Sequence, residues 1–296
     1  MVINWNGAQD TFDLLYSLCH CQSDAVSITA VVIDNASAEA DRLKLESGLA
    51  DLDGRMKVIF RANSVNIGVP AAYNQAIQVA GLTHDYYLRL DNDVIVEQEG
   101  LASMIDALEQ ESRKGVAIVG GNIKYFDRRT EDNGGAVSID LIAGRTRVTY
   151  PLSDVVCDGV LGCIMLLSGE LVRRYAPEVF AGNLFICTDE SEISLRAARD
   201  GMRTMYLARL IGFHKSGSST GKVDFLSKYY STRNWTLLRL RYAGGNRQRL
   251  SVLMRIPSDL ARSVLRRRWP SVLGAAAGLG MALTASLDRG VRHGRC

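Results

Sequence analysis

The chain has 296 residues, of which 47% are apolar and 23% charged, and its net charge at neutral pH is only +3. These values are ordinary for a soluble globular enzyme with a well-filled core. The charge is unevenly spread, because residues 246–296 contain ten arginines, no lysine and two acids, which leaves a net charge of −5 on residues 1–245. An acidic body and a basic tail without interleaved aromatic residues argue against nucleic-acid binding.

The cysteines and the first residues give a prediction of the compartment. The six cysteines form no C-x-x-C pair and show no zinc-ligand spacing, so we expect free thiols in a reducing cytoplasm. The chain opens directly in the strand-like run Met1–Trp5, which predicts that no signal peptide is present. Either the natural start lies slightly upstream or the first strand is short.

The first 125 residues alternate between strand-like and helix-like segments. Strands are predicted at Val2–Trp5, Ile28–Ile33, Val58–Arg61, Tyr86–Leu90 and Val116–Ile123. Helices are predicted at Ala8–Cys19, Pro70–Ala80 and Glu99–Glu111. This alternation favours an α/β fold with a doubly wound, mostly parallel sheet that binds a nucleotide.

The second part of the chain has looser loops. We predict a hairpin from Ala136–Ile142 and Arg145–Tyr150, then strands at Gly162–Ser168, Met202–Leu207 and Tyr206–Phe213. Helices are predicted at Gly169–Tyr175, at Ser191–Asp200, where Gly201 ends the helix, and from Tyr229 to Arg241. Internal repeats and low-complexity tracts are absent from the sequence.

Two carboxylates follow the apolar and aromatic strand at Tyr86–Leu90. In open α/β sheets, ligands bind beyond the carboxyl ends of the strands, which is where Asp91 and Asp93 fall. Residues two apart in an extended segment share a face, so both carboxylates can point at one ion. Oxygen ligands of this kind suit Mg²⁺ or Mn²⁺ carrying a diphosphate. Acids in a solvated loop are the alternative interpretation.

Two further segments indicate nucleotide binding. Asp34 follows the second strand, where its carboxylate could accept hydrogen bonds from a nucleobase or a ribose; a turn built by Asp34 and Asn35 is the alternative. Asn66 and Asn74 are the ends of a segment that enters a helix through Gly68, and the N-terminus of that helix attracts negative charge; an ordinary loop and helix start are the alternative.

Four polar residues later in the chain complete the candidate site. Glu190 is the first choice and Asp189 the second for a general base toward an acceptor hydroxyl, although Asp189 could instead cap its helix together with Glu192. His214 ends a strand beside the polar loop 217–220 and is a candidate third metal ligand that favours Mn²⁺. Arg233 could reach a phosphate.

With these residues assembled, the sequence resembles family-2 glycosyltransferases of the GT-A fold, of the bacterial rhamnosyltransferase-like kind. The resemblance covers about residues 1–242 and runs in chain order. The matching motifs are Asn4-Trp5-Asn6-Gly7, Val32–Ser37, Asn66-x-Gly68 with Asn74, Asp91-Asn92-Asp93, Asp158–Cys163, Asp189-Glu190 with Leu195-Arg196-Ala197, His214, and Tyr229-Tyr230-x-x-Arg233-Asn234. One departure concerns the acidic pair, which is usually Glu-Asp in the family and is Asp-Glu here.

The resemblance implies an inverting, metal-dependent hexosyl or rhamnosyl transferase. A UDP- or dTDP-linked sugar would be the donor, and a saccharide or lipid-linked saccharide of bacterial surface polysaccharide would be the acceptor. Asn4, Asn6, Asp34, Asn66, Gly68, Asn74, Asp91 and Arg233 would bind the donor, while Asp91, Asp93 and His214 would hold Mn²⁺ or Mg²⁺. The glycosyltransferase domain would span residues 1–242, with a nucleotide-sugar half at 1–123 and an acceptor half at 124–242.

Residues 243–296 lie outside the resemblance and form a basic, amphipathic helical tail. Leu250, Leu253, Met254, Leu260 and Leu265 alternate with arginines, followed by Arg266-Arg267-Arg268. The apolar run Val272–Leu287 is too short to span a membrane. Peripheral membrane contact through 246–287, at the inner face of the cell membrane, and packing on the catalytic domain or a second subunit are both open.

Two other functions are considered. A sugar-nucleotide nucleotidyltransferase would need a Gly-rich, cationic loop after the first strand, whereas residues 6–10 offer one glycine and no cation. An inactive, membrane-associated scaffold is disfavoured because the metal and base positions are complete.

Overall fold

The computed structural model describes residues 1–52, 54–215, 224–265 and 269–293. Its strands are β1 (Val2–Asn4), β2 (Thr29–Asp34), β3 (Lys57–Ala62), β4 (Tyr86–Asp91), β5 (Val94–Val96), β6 (Val116–Tyr125), β7 (Asp132–Gly134), β8 (Ala136–Asp140), β9 (Arg145–Thr149), β10 (Val155–Cys157), β11 (Gly159–Val160), β12 (Ile164–Ser168) and β13 (Arg203–His214).

The helices are α1 (Ala8–Cys19), α2 (Glu39–Leu49), α3 (Val69–Ala80), α4 (Gln98–Glu111), α5 (Gly169–Tyr175), α6 (Asp189–Arg199), α7 (Asp224–Tyr242), α8 (Gly245–Leu265) and α9 (Trp269–His293). Short 3₁₀ turns occur at Ala50–Leu52, Ser112–Lys114 and Gly182–Leu184. None of the helices, over the residues described, is both long and apolar enough to cross a membrane.

One ten-stranded sheet organises the first three-quarters of the chain. Its order is β10-β13-β6-β12-β4-β1-β2-β3, with β5 added to β13 and β7 to β6. The pairs β1/β2, β1/β4, β2/β3 and β6/β13 are parallel, whereas β12 runs antiparallel between β4 and β6. A smaller sheet has the order β11-β8-β9. The predicted α/β fold with a mostly parallel sheet is therefore confirmed.

The two faces of this sheet bury two apolar cores. Val32 of β2 belongs to a core that includes residues of α1 and α4, whereas its neighbours Val31 and Ile33 belong to a core that includes residues of α3, α5 and α6. Successive strand residues point to opposite faces, so a continuous apolar run such as β2 is what a strand covered on both faces requires. Polar residues therefore lie at the ends of the strands.

Several elements differ from their predicted bounds. Helix α2 was not predicted, because it is mostly polar and buries only Leu45. Strand β5 was also missed, since its three residues follow the Asp91–Asp93 motif without a break in the sequence pattern. The two overlapping strands expected at 202–207 and 206–213 are one strand, β13, whose pairing with β6 shifts register near Leu210.

The chain divides into two units. The first comprises Met1–Ser138, Val148–Phe185 and Asp189–Ser218, and the second comprises Ile139–Arg147, Ile186–Thr188 and Ser219–Cys296. In the second unit α9 packs closely on α7, because a Cβ at Gly274 or Gly278 would collide with backbone oxygens of Tyr229 or Arg233. The predicted loop 217–220 and the basic run 266–268 lie outside the described residues.

The five cysteines that the structure describes carry free thiols, as the sequence predicted.

Candidate active site

Two carboxylates and one imidazole meet where β4 and β13 end. Asp91 is the last residue of β4, Asp93 follows in the turn before β5, and His214 is the last residue of β13. The antiparallel pairing of β5 with β13 sets Val94 opposite His214 and thereby brings the ring beside Asp93. One ligand atom from each of these three acidic or imidazole side chains lies within 4.8 Å of the other two.

Asp91 and Asp93 converge for a different reason from the one that the sequence suggested. Asn92 and Asp93 form a turn between β4 and β5, so strand alternation does not align the two carboxylates. Asn92 anchors this turn, because its Nδ2 donates to the carbonyl of Gly7 and to Oγ1 of Thr11, both at 3.3 Å. Asn92, the middle residue of the motif, therefore holds Asp91 and Asp93 in position.

The electrostatics of His214 suit a cation site. Its Nε2 lies 3.1 Å from Oδ1 of Asp93. Burial disfavours the charged ring, but hydrogen bonding and charge from Asp93 and Cys163 outweigh burial and raise the pKa of His214 to about 11. The three side chains therefore attract positive charge here. Carboxylate oxygens and an imidazole nitrogen are ligands that fit Mn²⁺, for which the ring must lose its proton.

An arginine inside β4 connects the strand end that carries Asp91 to helix α6. Arg89 is only 4% exposed, and its Nη2 donates to Oδ2 of Asp189 at 3.1 Å and lies 3.7 Å from Oδ1 of Asp91. Its guanidinium carbon lies 4.8 Å from the centroid of the Tyr73 ring. Asp189 is itself the first residue of α6, and its carboxylate is used in this ion pair, while its capping role with Glu192 stays a prediction.

Glu190, the second residue of α6, has a carboxyl group suited to proton exchange near neutral pH. Burial and the negative charge of Asp189 raise its pKa to about 7, against the lowering effect of Arg89. Asp91 adds a smaller raising effect. A general base works best when its pKa lies near the working pH, which favours Glu190 over Asp189 for that role.

The predicted donor-binding residues of β1 and β2 are bonded to each other. Asn4 is 0% exposed, and its Nδ2 donates to Asp34 at 2.8 Å and to Ser37 and Asp41 at 3.1 Å. Asp34 is also 0% exposed and accepts from the backbone N–H and hydroxyl of Ser37. Asn4 and Asp34 are completely buried, so a ligand cannot contact either side chain directly in this structure. The structure supports the alternative in which Asp34 builds a turn.

Asn6 is exposed, as is its neighbour Trp5 in the first motif. Its backbone φ of 57° is left-handed, a conformation that asparagine adopts more readily than most residues. Its Oδ1 accepts a 2.8 Å hydrogen bond from the N–H of Ala38, so it links the turn after β1 to the turn after β2. Of the three predicted residues on these two strands' ends, Asn6 is the one that a ligand could reach.

The segment before α3 uses its backbone donors internally. The N–H groups of Ile67 and Gly68 donate to the side chains of Asn35 and Asn66, and the N–H of Val69 donates to the carbonyl of Phe185. The donors of residues 67–69 are therefore occupied by protein acceptors, and anion binding at this helix N-terminus stays a prediction. Gly68 has a φ of 85°, and a Cβ there would stand 2.6 Å from the Phe185 carbonyl oxygen.

Asn74 has a structural role, and its predicted ligand contact stays a prediction. Its Nδ2 donates to the carbonyl of Phe180 at 2.7 Å, and its Oδ1 accepts from the N–H of the same residue at 2.9 Å. Both polar groups of the amide are thus bonded to one backbone unit, which ties α3 to the segment after α5.

Arg233 belongs to the second unit, so its predicted phosphate contact stays a prediction. Its Nε donates to Oδ1 of Asn234 at 2.9 Å, and its guanidinium carbon lies 4.6 Å from the centroid of the Tyr230 ring. Burial lowers the pKa of Arg233. Asn234 is 0% exposed and donates to the carbonyls of Ile186 and Cys187.

Sequence reasoning missed Arg89, and it included Gly162 only as part of the motif Asp158–Cys163. A Cβ at Gly162 would collide with Nη1 of Arg89 and stand 2.9 Å from Cβ of Glu190, so the glycine makes room for both side chains. The available signal was a lone charge inside the core strand Tyr86–Leu90. A charged side chain is rarely buried in a core strand unless it is paired with a group of opposite charge.

The mostly parallel α/β sheet, with two acids and a histidine at its strand ends, has the fold of GT-A glycosyltransferases. The model of the family described as "Glycosyl transferase family 2" matches residues 7–163, which is more than half of the chain. The chain belongs to this family.

Similar proteins extend the comparison. "Uncharacterized protein y4gI" of Sinorhizobium fredii is 31% identical over 122 residues, which cover 41% of this chain and 13% of that protein. A structure of S. aureus TarS 1-349 in complex with UDP-GlcNAc has a TM-score of 0.58 at 14% identity, covering 84% of this chain and 68% of that one. A mannosyltransferase of Pyrobaculum calidifontis, in complex with GDP-Man and Mn²⁺, has a TM-score of 0.56 at 15% identity, covering 98% of this chain and 78% of that one.

Proposed function

We propose that this protein transfers a sugar from a nucleoside-diphosphate sugar to a saccharide or lipid-linked saccharide of a bacterial surface polysaccharide. The donor is UDP- or dTDP-linked, the sugar is a hexose or rhamnose, and the configuration at the anomeric carbon is inverted. Residues 1–242 form the catalytic domain and 243–296 the tail. Family membership supports the glycosyl transfer, and the solved relatives described above hold UDP-GlcNAc or GDP-Man.

One observation carries the proposal. A single nitrogen, Nη2 of Arg89, lies 3.1 Å from Asp189 and 3.7 Å from Asp91. It therefore joins the start of the base-bearing helix to the strand end that carries the cation ligands. A reaction that must deprotonate one hydroxyl and release one diphosphate needs these two functions side by side.

Each group has a defined role in the proposed reaction. Asp91, Asp93 and His214 would hold Mn²⁺ or Mg²⁺, which when bound supplies charge neutralisation for the departing diphosphate. Glu190 accepts the proton from the acceptor hydroxyl as its oxygen attacks the anomeric carbon. The bond between that carbon and the diphosphate breaks, and the electron pair leaves with the nucleoside diphosphate.

The test uses purified protein, Mn²⁺, a panel of UDP-, dTDP- and GDP-sugars and a panel of saccharide acceptors. We expect release of nucleoside diphosphate with at least one donor and acceptor pair. Glu190→Gln should keep metal-dependent nucleotide binding and lose transfer, whereas Asp93→Ala should lose the binding. Absence of both turnover and metal-dependent nucleotide binding would refute the proposal, and activity in Glu190→Gln but not in Asp189→Asn would reassign the base.

The tail supports a cytoplasmic location at the inner face of the cell membrane. Five apolar side chains of α8 are between 43% and 82% exposed, and their spacing places them on one face of the helix: Leu250, Leu253, Met254, Val264 and Leu265. The opposite face is buried at Val252 and Ile256. Exposed Arg247, Arg249 and Arg255 give the same helix a positive charge. We propose that this surface binds an anionic lipid bilayer.

Co-sedimentation tests this contact with vesicles of phosphatidylcholine, alone or mixed with phosphatidylglycerol. We expect binding to the mixed vesicles, and its loss in Leu253→Glu. The matched control is Leu43→Glu, because Leu43 is 51% exposed on α2, outside the tail. Equal sedimentation of Leu253→Glu and wild type would refute the membrane contact, as would dimerisation through α8 without vesicle binding.

A further inference from the structure

Arg89 is a buried charge that the proposed reaction does not itself use. It lies on β4 between Leu88 and Leu90, with 4% of its surface exposed. Burying a guanidinium costs several kcal/mol, a cost that only good ion pairs and hydrogen bonds offset. A leucine at this position would pack in the same core without that cost. The arginine therefore requires an explanation other than packing.

The pairing of Arg89 is incomplete. Nη2 is bonded to Asp189, but neither Nε nor Nη1 has a hydrogen-bond partner among the residues that the structure describes. A guanidinium carries five N–H donors, and one placed for stability would satisfy most of them. In this arrangement Nε and Nη1 form no hydrogen bonds with the described residues, while Nη2 lies between the carboxylates of Asp189 and Asp91.

Gly162 leaves space for the guanidinium of Arg89 because it has no side chain. Any side chain at that position would collide with Nη1 and would reach to 2.9 Å from Cβ of Glu190. Three separate parts of the chain therefore meet at Arg89: strand β4, the loop before β12 and the first turn of α6.

Charge makes strand β4 and the first turn of α6 interdependent. Asp189 is 2% exposed, and its side chain is paired with Arg89. Without the guanidinium, Asp91, Asp189 and Glu190 would form a group of carboxylates with no buried cation between them. Their repulsion would push the first turn of α6 away from the end of β4.

We propose that Arg89 is a positioning residue of the transfer reaction, which holds the first turn of α6 through Asp189 so that Glu190 stays beside the metal-binding end of β4. This inference rests on the proposed function. It also assigns the acidic pair two roles, because Asp189 is bonded to Arg89 and Glu190 remains available for the proton.

The test compares Arg89→Met, Arg89→Lys and the double variant Arg89→Met/Asp189→Asn. A displacement of about 1 Å in a catalytic group costs about 100-fold in rate, so we expect kcat of Arg89→Met to fall about 100-fold. The donor KM should change less than about threefold, since the cation ligands remain. Arg89→Lys should recover part of kcat because a charge returns.

The double variant separates positioning from stability. Arg89→Met leaves Asp189 buried and unpaired, so its melting temperature should fall, and removing the second charge should restore it. A positioning role predicts that kcat stays low in the double variant although the melting temperature recovers. Recovery of kcat together with stability would overturn the inference, as would a wild-type kcat in Arg89→Met.

A matched control lies on the same helix. Arg196 of α6 pairs with Glu192 at 3.3 Å and its guanidinium carbon lies 4.4 Å from the centroid of the Tyr175 ring. Arg196→Met should lower the melting temperature but change kcat less than about threefold, because it loosens α6 without touching β4. An equal loss of kcat in both methionine variants would overturn the inference. If wild type turns over no donor, the proposed function fails and this inference fails with it.

Discussion

Glu190→Gln is expected to stabilise the protein at alkaline pH, a result that needs no knowledge of the substrate. The pKa of Glu190 is raised from 4.5 to about 7 in the folded protein. The folded state therefore holds this proton more tightly than the unfolded state does, and the stability that the protonated group contributes is present below pH ~4.5 and lost as the pH rises through ~7. At pH 8 the wild type folds with an unfavourable buried charge, which glutamine lacks.

The magnitude follows from the size of the shift. Each pKa unit corresponds to about 1.4 kcal/mol, so the shift sets a ceiling of about 3 kcal/mol. Glu190 is half-buried, and solvent screening reduces this value to an expected ~1–2 kcal/mol. At about 2–4 °C per kcal/mol, Glu190→Gln should melt several degrees above wild type at pH 8. The two proteins should differ little at pH 5, where the wild-type group is protonated.

The assay is thermal unfolding of both proteins between pH 5 and pH 8, in the presence of a chelator. Asp189→Asn is the control of opposite sign, because that change removes the partner of Arg89 and should lower the melting temperature at pH 8. A Glu190→Gln protein that is less stable than wild type at pH 8, or a difference that does not depend on pH, would refute the electrostatic account of this carboxyl group.

Three further predictions concern the cation site, the first strand and the rate. Asp93→Ala and His214→Ala should each weaken Mn²⁺ binding on the order of 100-fold, measured by calorimetry with UDP present; unchanged affinity would exclude them as ligands. Asn4→Ala removes bonds to two carboxylates and should cost about 3 kcal/mol of unfolding free energy in urea, and an unchanged midpoint would contradict its structural role. In wild type, kcat should rise about tenfold per pH unit below pH ~7 and then level off, and an acid limb near pH 4 would exclude Glu190 as the base.

The positions of the cation ligands could be read from the sequence because topology determines them. The carboxyl ends of parallel strands meet at one edge of a sheet. Acids that directly follow apolar strands are therefore brought to the same edge. Asp91, Asp93 and His214 fulfil this expectation. Helix α2 could not be read in the same way, since it buries a single leucine and shows little apolar periodicity.

The roles of individual polar residues were harder to predict than their positions. Asn4 and Asn74 occur in motifs that predict donor binding. In the structure, the side-chain amide of each is hydrogen-bonded to other groups of the protein. Arg89 meets Asp189 from 100 residues away along the chain, and Gly162 is required only because those side chains converge. Such pairings depend on packing across the sheet, which no local pattern encodes.

The contact of Asn92 with Gly7 makes cation chemistry depend on the first turn of the chain. A Cβ at Gly7 would collide with Nδ2 of Asn92, the side chain that tethers the turn carrying Asp93. Replacing that glycine would therefore shift the carboxylates without contacting them. The geometry of the candidate cation site is thus set partly by Gly7, a residue that contributes no side chain to it.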